Sequence, residues 1–343
     1  MIALSRPELN RQPGSNTPGA WRMKKILKTA GIAVGAVVVA LIAVVVLLVV
    51  KQQIDASKPL LDDDYYESFA SPAPLEKKYA RRGGQNVAYT EFSVEKSVIG
   101  KIGAWYPQQL ESDGARYPMV VVVNGSNTKA SMYKPFFERL ASWGFVVVGT
   151  EDGQAGTGET TSVALDFMLN APRDSVLHGR IDADNIGVVG YSQGGAGAIR
   201  AVTEHGNSGA FKTIFTGSAA YAALAKNMGW GYDIAKVTIP YFMTAGTGTS
   251  EDAGVKDTSS EFGGVAPLSS LADNYNQMPG CALKVRARVA GAEHWQIQML
   301  TDGYMTAWMR YQLQADPEAA SVFIGDKAEL LVNRKWQDVE KNR

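Results

Sequence analysis

The sequence predicts an α/β domain built on a mostly parallel sheet, and three observations carry that expectation. Met119-Val120-Val121-Val122-Val123 is an unbroken apolar run, as a strand buried on both faces requires. Strand-like runs alternate with helix-length segments along most of the chain, the pattern of βαβ units. The pentapeptide Gly190-Tyr191-Ser192-Gln193-Gly194 falls where a short apolar strand, Ile186–Val189, meets a helix rich in small residues. Helices are expected on both faces of the sheet.

Taken in order, Val87–Val94 and Ile99–Trp105 alternate well enough to form an antiparallel pair of strands. A helix over 132–143 follows Met119–Val123 and leads into a buried strand at Phe145–Gly149. Thr160–Leu169 reads as a helix, Ile186–Val189 as a strand, Gly194–Thr203 as a helix and Thr213–Thr216 as a strand. Ile239–Thr244 is the next strand and ends in a loop rich in Gly, Ser, Asp and Glu. Leu283–Val289 is expected to be the last strand, and Gln296–Gln314 one long helix. No internal repeat is visible.

Composition narrows the function classes. Lys plus Arg number 34 and Asp plus Glu number 34, so the basic excess that nucleic acid binding needs is lacking. Cys281 is the one cysteine, which excludes an intrachain disulfide framework and a Cys-based zinc site. The 343 residues also hold only three histidines, His178, His205 and His294, so imidazole chemistry has few places to be.

The N-terminal region reads as a membrane anchor. Residues 29–50 carry no charge and are dominated by Val, Ala, Leu and Ile. As a helix such a run spans about 30 Å, the thickness of a bilayer's hydrocarbon core. Arg22, Lys24, Lys25 and Lys28 precede it, so residues 1–28 are expected as a cytoplasmic tail and the rest outside. A cleaved signal peptide is the rival, but the run is long and Val50-Lys51-Gln52-Gln53 offers no small-residue cleavage site. Met23-Lys24-Lys25 also resembles a start in its own right. Residues 51–84, with charge runs and Ser71-Pro72-Ala73-Pro74, read as a linker, and 85–343 as the catalytic domain. The run Asp62–Asp64 reads as a solvated face rather than a cation site.

The chemistry centres on Ser192. A G-x-S-x-G turn between strand and helix lifts the serine hydroxyl above the sheet, and the glycines leave room for the backbone. A hydroxyl is a weak nucleophile until a base takes its proton, and histidine's ordinary pKa of about 6.5 suits that task. His205 lies about three turns along the helix from the serine and His178 in a loop before its strand, so neither reaches it. His294, in Gly291-Ala292-Glu293-His294-Trp295 after the Leu283–Val289 strand, is the candidate base. The acid that orients it should come from the loop Ala245–Asp257, with Asp252 preferred over Glu251 and Asp257. Backbone N–H donors for the oxyanion are expected from Gln193 and from Ser126 in Asn124-Gly125-Ser126-Asn127. Tyr133, Trp230 and Trp295 are candidates to line the pocket. Gly153-Gln154-Ala155-Gly156-Thr157-Gly158 has neither dinucleotide nor P-loop spacing and reads as a flexible rim loop.

From about Val87 onward the chain resembles the α/β-hydrolases, in the branch of dienelactone hydrolases, chlorophyllases and bacterial cutinase-like polyester hydrolases. The resemblance rests on Val123-Asn124-Gly125-Ser126, Leu140–Val147, Gly190–Gly195 and Ala307–Leu313. It implies an eight-stranded sheet, a Ser-Asp-His triad and no cofactor or metal. Asn124-Gly125 stands where the family usually has His-Gly or Pro-Gly, and the acid-bearing loop is longer than the usual Gly-x-x-Asp. A membrane-anchored serine hydrolase of small-molecule or polymeric carboxylic esters is the expected function. An amidase or peptidase of the same fold and a non-enzymatic surface protein are the alternatives.

Overall fold

The computed structural model describes residues 60–94, 98–255 and 262–343. The expected tail at 1–28, the span at 29–50 and the candidate acid Asp257 lie outside the described residues. Among the described residues, no helix is long and apolar enough to cross a membrane.

In chain order the larger elements are α1 (Pro74–Ala80), β1 (Val87–Ser93), β2 (Lys101–Pro107), β3 (Tyr117–Val123) and α2 (Lys134–Ala141). Next come β4 (Val146–Thr150), α3 (Glu159–Leu169), β5 (Ile181–Tyr191), α4 (Gln193–Ala201) and β6 (Phe211–Gly217). The chain continues with α5 (Ala222–Asn227), β7 (Tyr241–Gly246), α6 (Leu268–Asn276), β8 (Lys284–Val289), α7 (Asp302–Gln314) and β9 (Trp336–Lys341).

The strands form one sheet in the order β1-β2-β4-β3-β5-β6-β7-β8-β9. Strands β3 to β8 are mutually parallel, while β1, β2 and β9 run antiparallel to their neighbours. Side chains of β3 show why an all-apolar run was needed. Val120 and Val122 enter the core on one face, and Met119, Val121 and Val123 enter the core on the other. Helices α1, α2 and α7 cover the first face through Tyr79, Phe136, Phe137, Leu140 and Trp308. Helices α3, α4 and α6 cover the second through Leu165, Met168, Ile199 and Tyr275. The result is three layers, with the C-terminal ends of the parallel strands opening on one rim.

Three expectations need correcting. The sheet has nine strands among the described residues, not eight, because β9 adds to β8 beyond the strand expected to be last. Its sequence, Trp-Gln-Asp-Val-Glu-Lys, lacks an apolar run because it is an edge strand with only Trp336 buried. Arg286 and Arg288 of β8 pair instead with Glu340 and Asp338 of β9.

The expected helix Gln296–Gln314 is broken. A 3-10 turn at His294–Gln296 and a short helix at Ile297–Leu300 precede α7. Thr301 marks the break, its hydroxyl bonded back to the Ile297 carbonyl at 2.7 Å. Gly303 then lets α1 approach closely, since a Cβ there would lie 2.3 Å from the Glu76 carbonyl oxygen.

The linker expected at 51–84 is, over its described part, packed against the domain. Leu61 and Tyr79 belong to the core, and α1 lies along α7. Pro74 sits in the first turn of α1, where its missing N–H costs nothing. The segment looked like a linker because the groups it buries are polar. The Glu76 carboxylate, fully buried, accepts from Trp336 Nε1 at 2.7 Å and Asn333 Nδ2 at 2.8 Å. Tyr65 accepts from Arg139 Nε at 2.9 Å and donates to Asp302.

Candidate active site

Ser192 sits between β5 and α4 with φ 56° and ψ −122°, a conformation that a serine adopts only under constraint. The constraint is a turn too tight for side chains. A Cβ at Gly190 would lie 2.1 Å from the Gly194 carbonyl oxygen, and one at Gly194 would lie 2.2 Å from that of Val123. The Ser192 N–H donates to the Gly217 carbonyl at 3.0 Å, which ties the turn to the end of β6.

His294 arrives from the loop after β8 and places Nε2 2.9 Å from Ser192 Oγ. Its position is fixed twice. The His294 backbone N–H donates to Ser250 Oγ at 2.9 Å. The Glu293 carboxylate accepts the N–H groups of Thr249 and Ser250 and the Ser250 hydroxyl, stapling the histidine loop to the loop after β7. These bonds, the Ser250 hydroxyl first, hold the Glu293 carboxyl below its ordinary pKa.

On the far side of the ring, His294 Nδ1 lies 2.9 Å from Glu251 Oε1. Glu251 is fully buried and its Oε1 also accepts from Ser218 Oγ at 2.6 Å. A neutral ring donating from Nδ1 to this carboxylate presents Nε2 as an acceptor to the serine hydroxyl. Asp252, the acid preferred from sequence, does not reach the histidine. Its Oδ2 lies 2.6 Å from Arg288 Nη1 and accepts the Leu268 N–H at 3.2 Å, while Oδ1 accepts the Gly254 N–H at 3.1 Å. Burial raises the Asp252 pKa, but these two N–H groups and Arg288 outweigh it and leave the group below its ordinary value. In this turn the N–H groups of both Glu251 and Asp252 bond to the Gly248 carbonyl, and the two successive side chains leave it in different directions, residue 251 toward His294 and residue 252 toward β8.

The structure brings Ser126 to the same cavity as Ser192. No hydrogen bond occupies the Ser126 N–H among the described residues, and the Gln193 N–H opens helix α4, where no intrahelical partner exists. Buried Asn124 sets the loop in place, its Nδ2 donating at 2.8 Å to the carbonyls of both Thr150 and Asp152. Sequence reasoning missed this anchoring role and that of Ser218. The signal for Ser218 was its place just past the C-terminal end of a parallel strand, where sites in such sheets collect.

A cavity of about 530 Å³ opens in front of Ser192, lined by Tyr133, Phe137, Trp295, Ile297 and Met299 among others. Tyr133 and Trp295 are thus where the sequence expected them, but Trp230 is not. Its indole packs over Gly156, where a Cβ would come within 2.5 Å of the ring. The segment Gly153–Gly158 is accordingly no rim loop: Ala155 and Gly156 are buried, and the Gly153 carbonyl accepts the Asn127 N–H at 2.8 Å. His205 Nε2 pairs with the Thr157 carbonyl at 3.1 Å and His178 Nδ1 with that of Ala171 at 2.7 Å, so both are occupied elsewhere.

Comparison with known proteins points the same way as this geometry. A PET hydrolase-like family model matches residues 61–334. The chain is 25% identical to the cutinase est1 of Thermobifida alba over 262 residues, 71% of this chain and 76% of that protein. It is 33% identical over 203 residues to a bis(hydroxyethyl) terephthalate hydrolase of Streptomyces coelicolor, covering 57% of this chain and 59% of that one. A cutinase of Thermobifida fusca is 24% identical over 265 residues, 71% of this chain and 78% of its own length. The chain therefore belongs to the PET hydrolase-like family, a branch of the α/β-hydrolases, and is an ester hydrolase.

Proposed function

We propose that the protein cleaves carboxylic esters through Ser192, His294 and Glu251, with an acyl-enzyme intermediate on Ser192. The observation that carries this reading is the unbroken relay from Ser192 Oγ through His294 to the buried Glu251 carboxylate. Their chain order, serine then acid then histidine, is the order this fold uses, and either Asp or Glu serves as the acid.

In the first half-reaction Ser192 Oγ attacks the ester carbonyl while His294 Nε2 takes its proton. The N–H groups of Ser126 and Gln193 receive the negative charge that builds on the carbonyl oxygen. His294 then passes the proton to the departing alcohol oxygen. In the second half, His294 takes a proton from water, the resulting hydroxide attacks the acyl-enzyme, and Ser192 recovers its proton. Throughout, Glu251 holds the Nδ1–H tautomer and stabilises the imidazolium without taking the proton itself.

Polyesters and their soluble fragments are the proposed substrates, by analogy with the cutinases and the terephthalate ester hydrolase. The charge-free run at 29–50, with basic residues before it, supports a single-pass anchor and an extracytoplasmic catalytic domain. A fluorophosphonate probe should label Ser192 and nothing else, as located by mass spectrometry. Protease added to intact cells should remove the catalytic domain. Unlabelled Ser192 in a folded, ester-cleaving protein would sink the mechanism, and protection until lysis would sink the topology.

A further inference from the structure

We infer that Leu60 and Leu61, which precede every element of the hydrolase fold, form a substrate-selecting wall of the active-site cleft. The inference rests on the ester hydrolase reading above and names the chemistry the cleft prefers. Both leucines line the cavity that holds Ser192, Ser126 and His294. The two divide the work of a wall: Leu61 is buried in the core cluster that also holds Phe137, whereas Leu60 is 49% exposed.

This segment is fastened at both ends. The Leu60 N–H donates to the Met132 carbonyl at 2.8 Å. Five residues on, the Tyr65 hydroxyl lies between Arg139 and Asp302, two fully buried side chains whose charges pair at 3.1 Å. Arg139 Nη1 in turn donates at 3.0 Å to the Tyr79 carbonyl and to Thr306 Oγ1, joining the segment to α1 and α7. A wall braced on buried charges presents a fixed surface, and ordering it costs nothing when substrate binds.

The lining says what that surface selects. Among the described residues, no Asp, Glu, Lys or Arg lines the cavity. Away from Ser192 and His294 the lining is mostly apolar, with leucine, valine, isoleucine, aromatic rings and methionine, and its remaining polar side chains, Thr128 and Gln298 among them, are uncharged, so a neutral apolar acyl group fits and a charged one does not. Each methylene buried there is worth about fourfold in kcat/KM. Acetate carries a single methyl group and so offers the wall little to bury.

The test compares p-nitrophenyl acetate with p-nitrophenyl octanoate on the full chain in detergent. Half-exposed Leu60 can be changed without opening the core, so Leu60→Ala and Leu60→Glu should keep the wild-type Tm. The octanoate-to-acetate ratio of kcat/KM should fall about fivefold in Leu60→Ala and further in Leu60→Glu, with acetate within twofold of wild type. An unchanged ratio in both variants, or an equal loss on both esters, would overturn the wall while Ser192 still takes the fluorophosphonate label. Wild-type protein that neither takes the label nor cleaves either ester would overturn the hydrolase reading itself.

Discussion

Glu251 and Asp252 are adjacent in the chain, and their carboxylates serve opposite sides of the same loop. Glu251 Oε1 lies 2.9 Å from His294 Nδ1, and Asp252 Oδ2 lies 2.6 Å from Arg288 Nη1. One carboxylate faces His294. The other holds the loop to strand β8.

The two carboxylates should therefore separate activity from stability. Glu251→Gln should lower kcat by about 10²–10⁴, because the imidazole loses the partner that fixes its tautomer. Asp252→Asn should stay within a few-fold of wild-type kcat but unfold more easily, by about 1–3 kcal/mol, since a charge-assisted bond to a mostly buried arginine is lost. Steady-state kinetics and denaturant melts on both variants decide it, and the reverse pattern would restore Asp252 as the acid.

In the proposed mechanism Ser192 and His294 act as a unit, so their losses should not add. Ser192→Ala and His294→Ala should each cost about 10⁴–10⁶ in kcat, and the double variant little more than either. Additive losses in logarithmic kcat would show that the two groups work independently.

Acid should act through Asp252. Its ionisation lies below the ordinary carboxylate range, so the unfolded chain binds the proton more readily than the native one. The stabilisation is present in full above the unfolded value of about 3.9 and is lost as pH falls through the lower native value. The Tm gap between wild type and Asp252→Asn should hold from about pH 5 to 8 and narrow as pH falls below about 4. A gap that stays constant or widens as pH falls further would contradict the assignment.

Asn124→Ala should damage both fold and rate. It strips two buried carbonyls, those of Thr150 and Asp152, of their donor, at about 1–3 kcal/mol each. The loop carrying Ser126 then loses its anchor, and kcat should fall about 10- to 100-fold, toward the cost of losing one oxyanion donor. A variant with wild-type kcat would remove Ser126 from the proposed mechanism.

The parts of this molecule legible in its sequence are those governed by neighbours in the chain. Met119–Val123 announces a doubly covered strand by composition, and Gly190 and Gly194 frame a turn that only small residues permit. His294 was found by elimination among three histidines. What stayed hidden depends on partners far away. Residues 60–84 looked like a linker because Glu76 and Tyr65 satisfy their polar groups with Trp336 and Asp302, more than 200 positions distant. Strand β9 carries charges that only make sense opposite Arg286 and Arg288. The sequence prefers Asp252 where the structure sets Glu251 beside His294, because the direction in which each side chain leaves the turn depends on the distant partners His294 and Arg288, which composition does not encode.

Arg288 bonds at once to Asp252, earlier in the chain, and to Asp338 on strand β9, later in it. The brace on the loop after β7 is thus delivered by the edge strand β9. A nascent chain carries Ser192, Glu251 and His294 before it carries Asp338, so the loop after β7 stays unbraced until β9 has been added. Premature termination or proteolytic trimming ahead of Trp336 should leave a chain with every reacting group and a slackened loop. Such a chain, ending at Arg334, should take the fluorophosphonate label more slowly than the full protein.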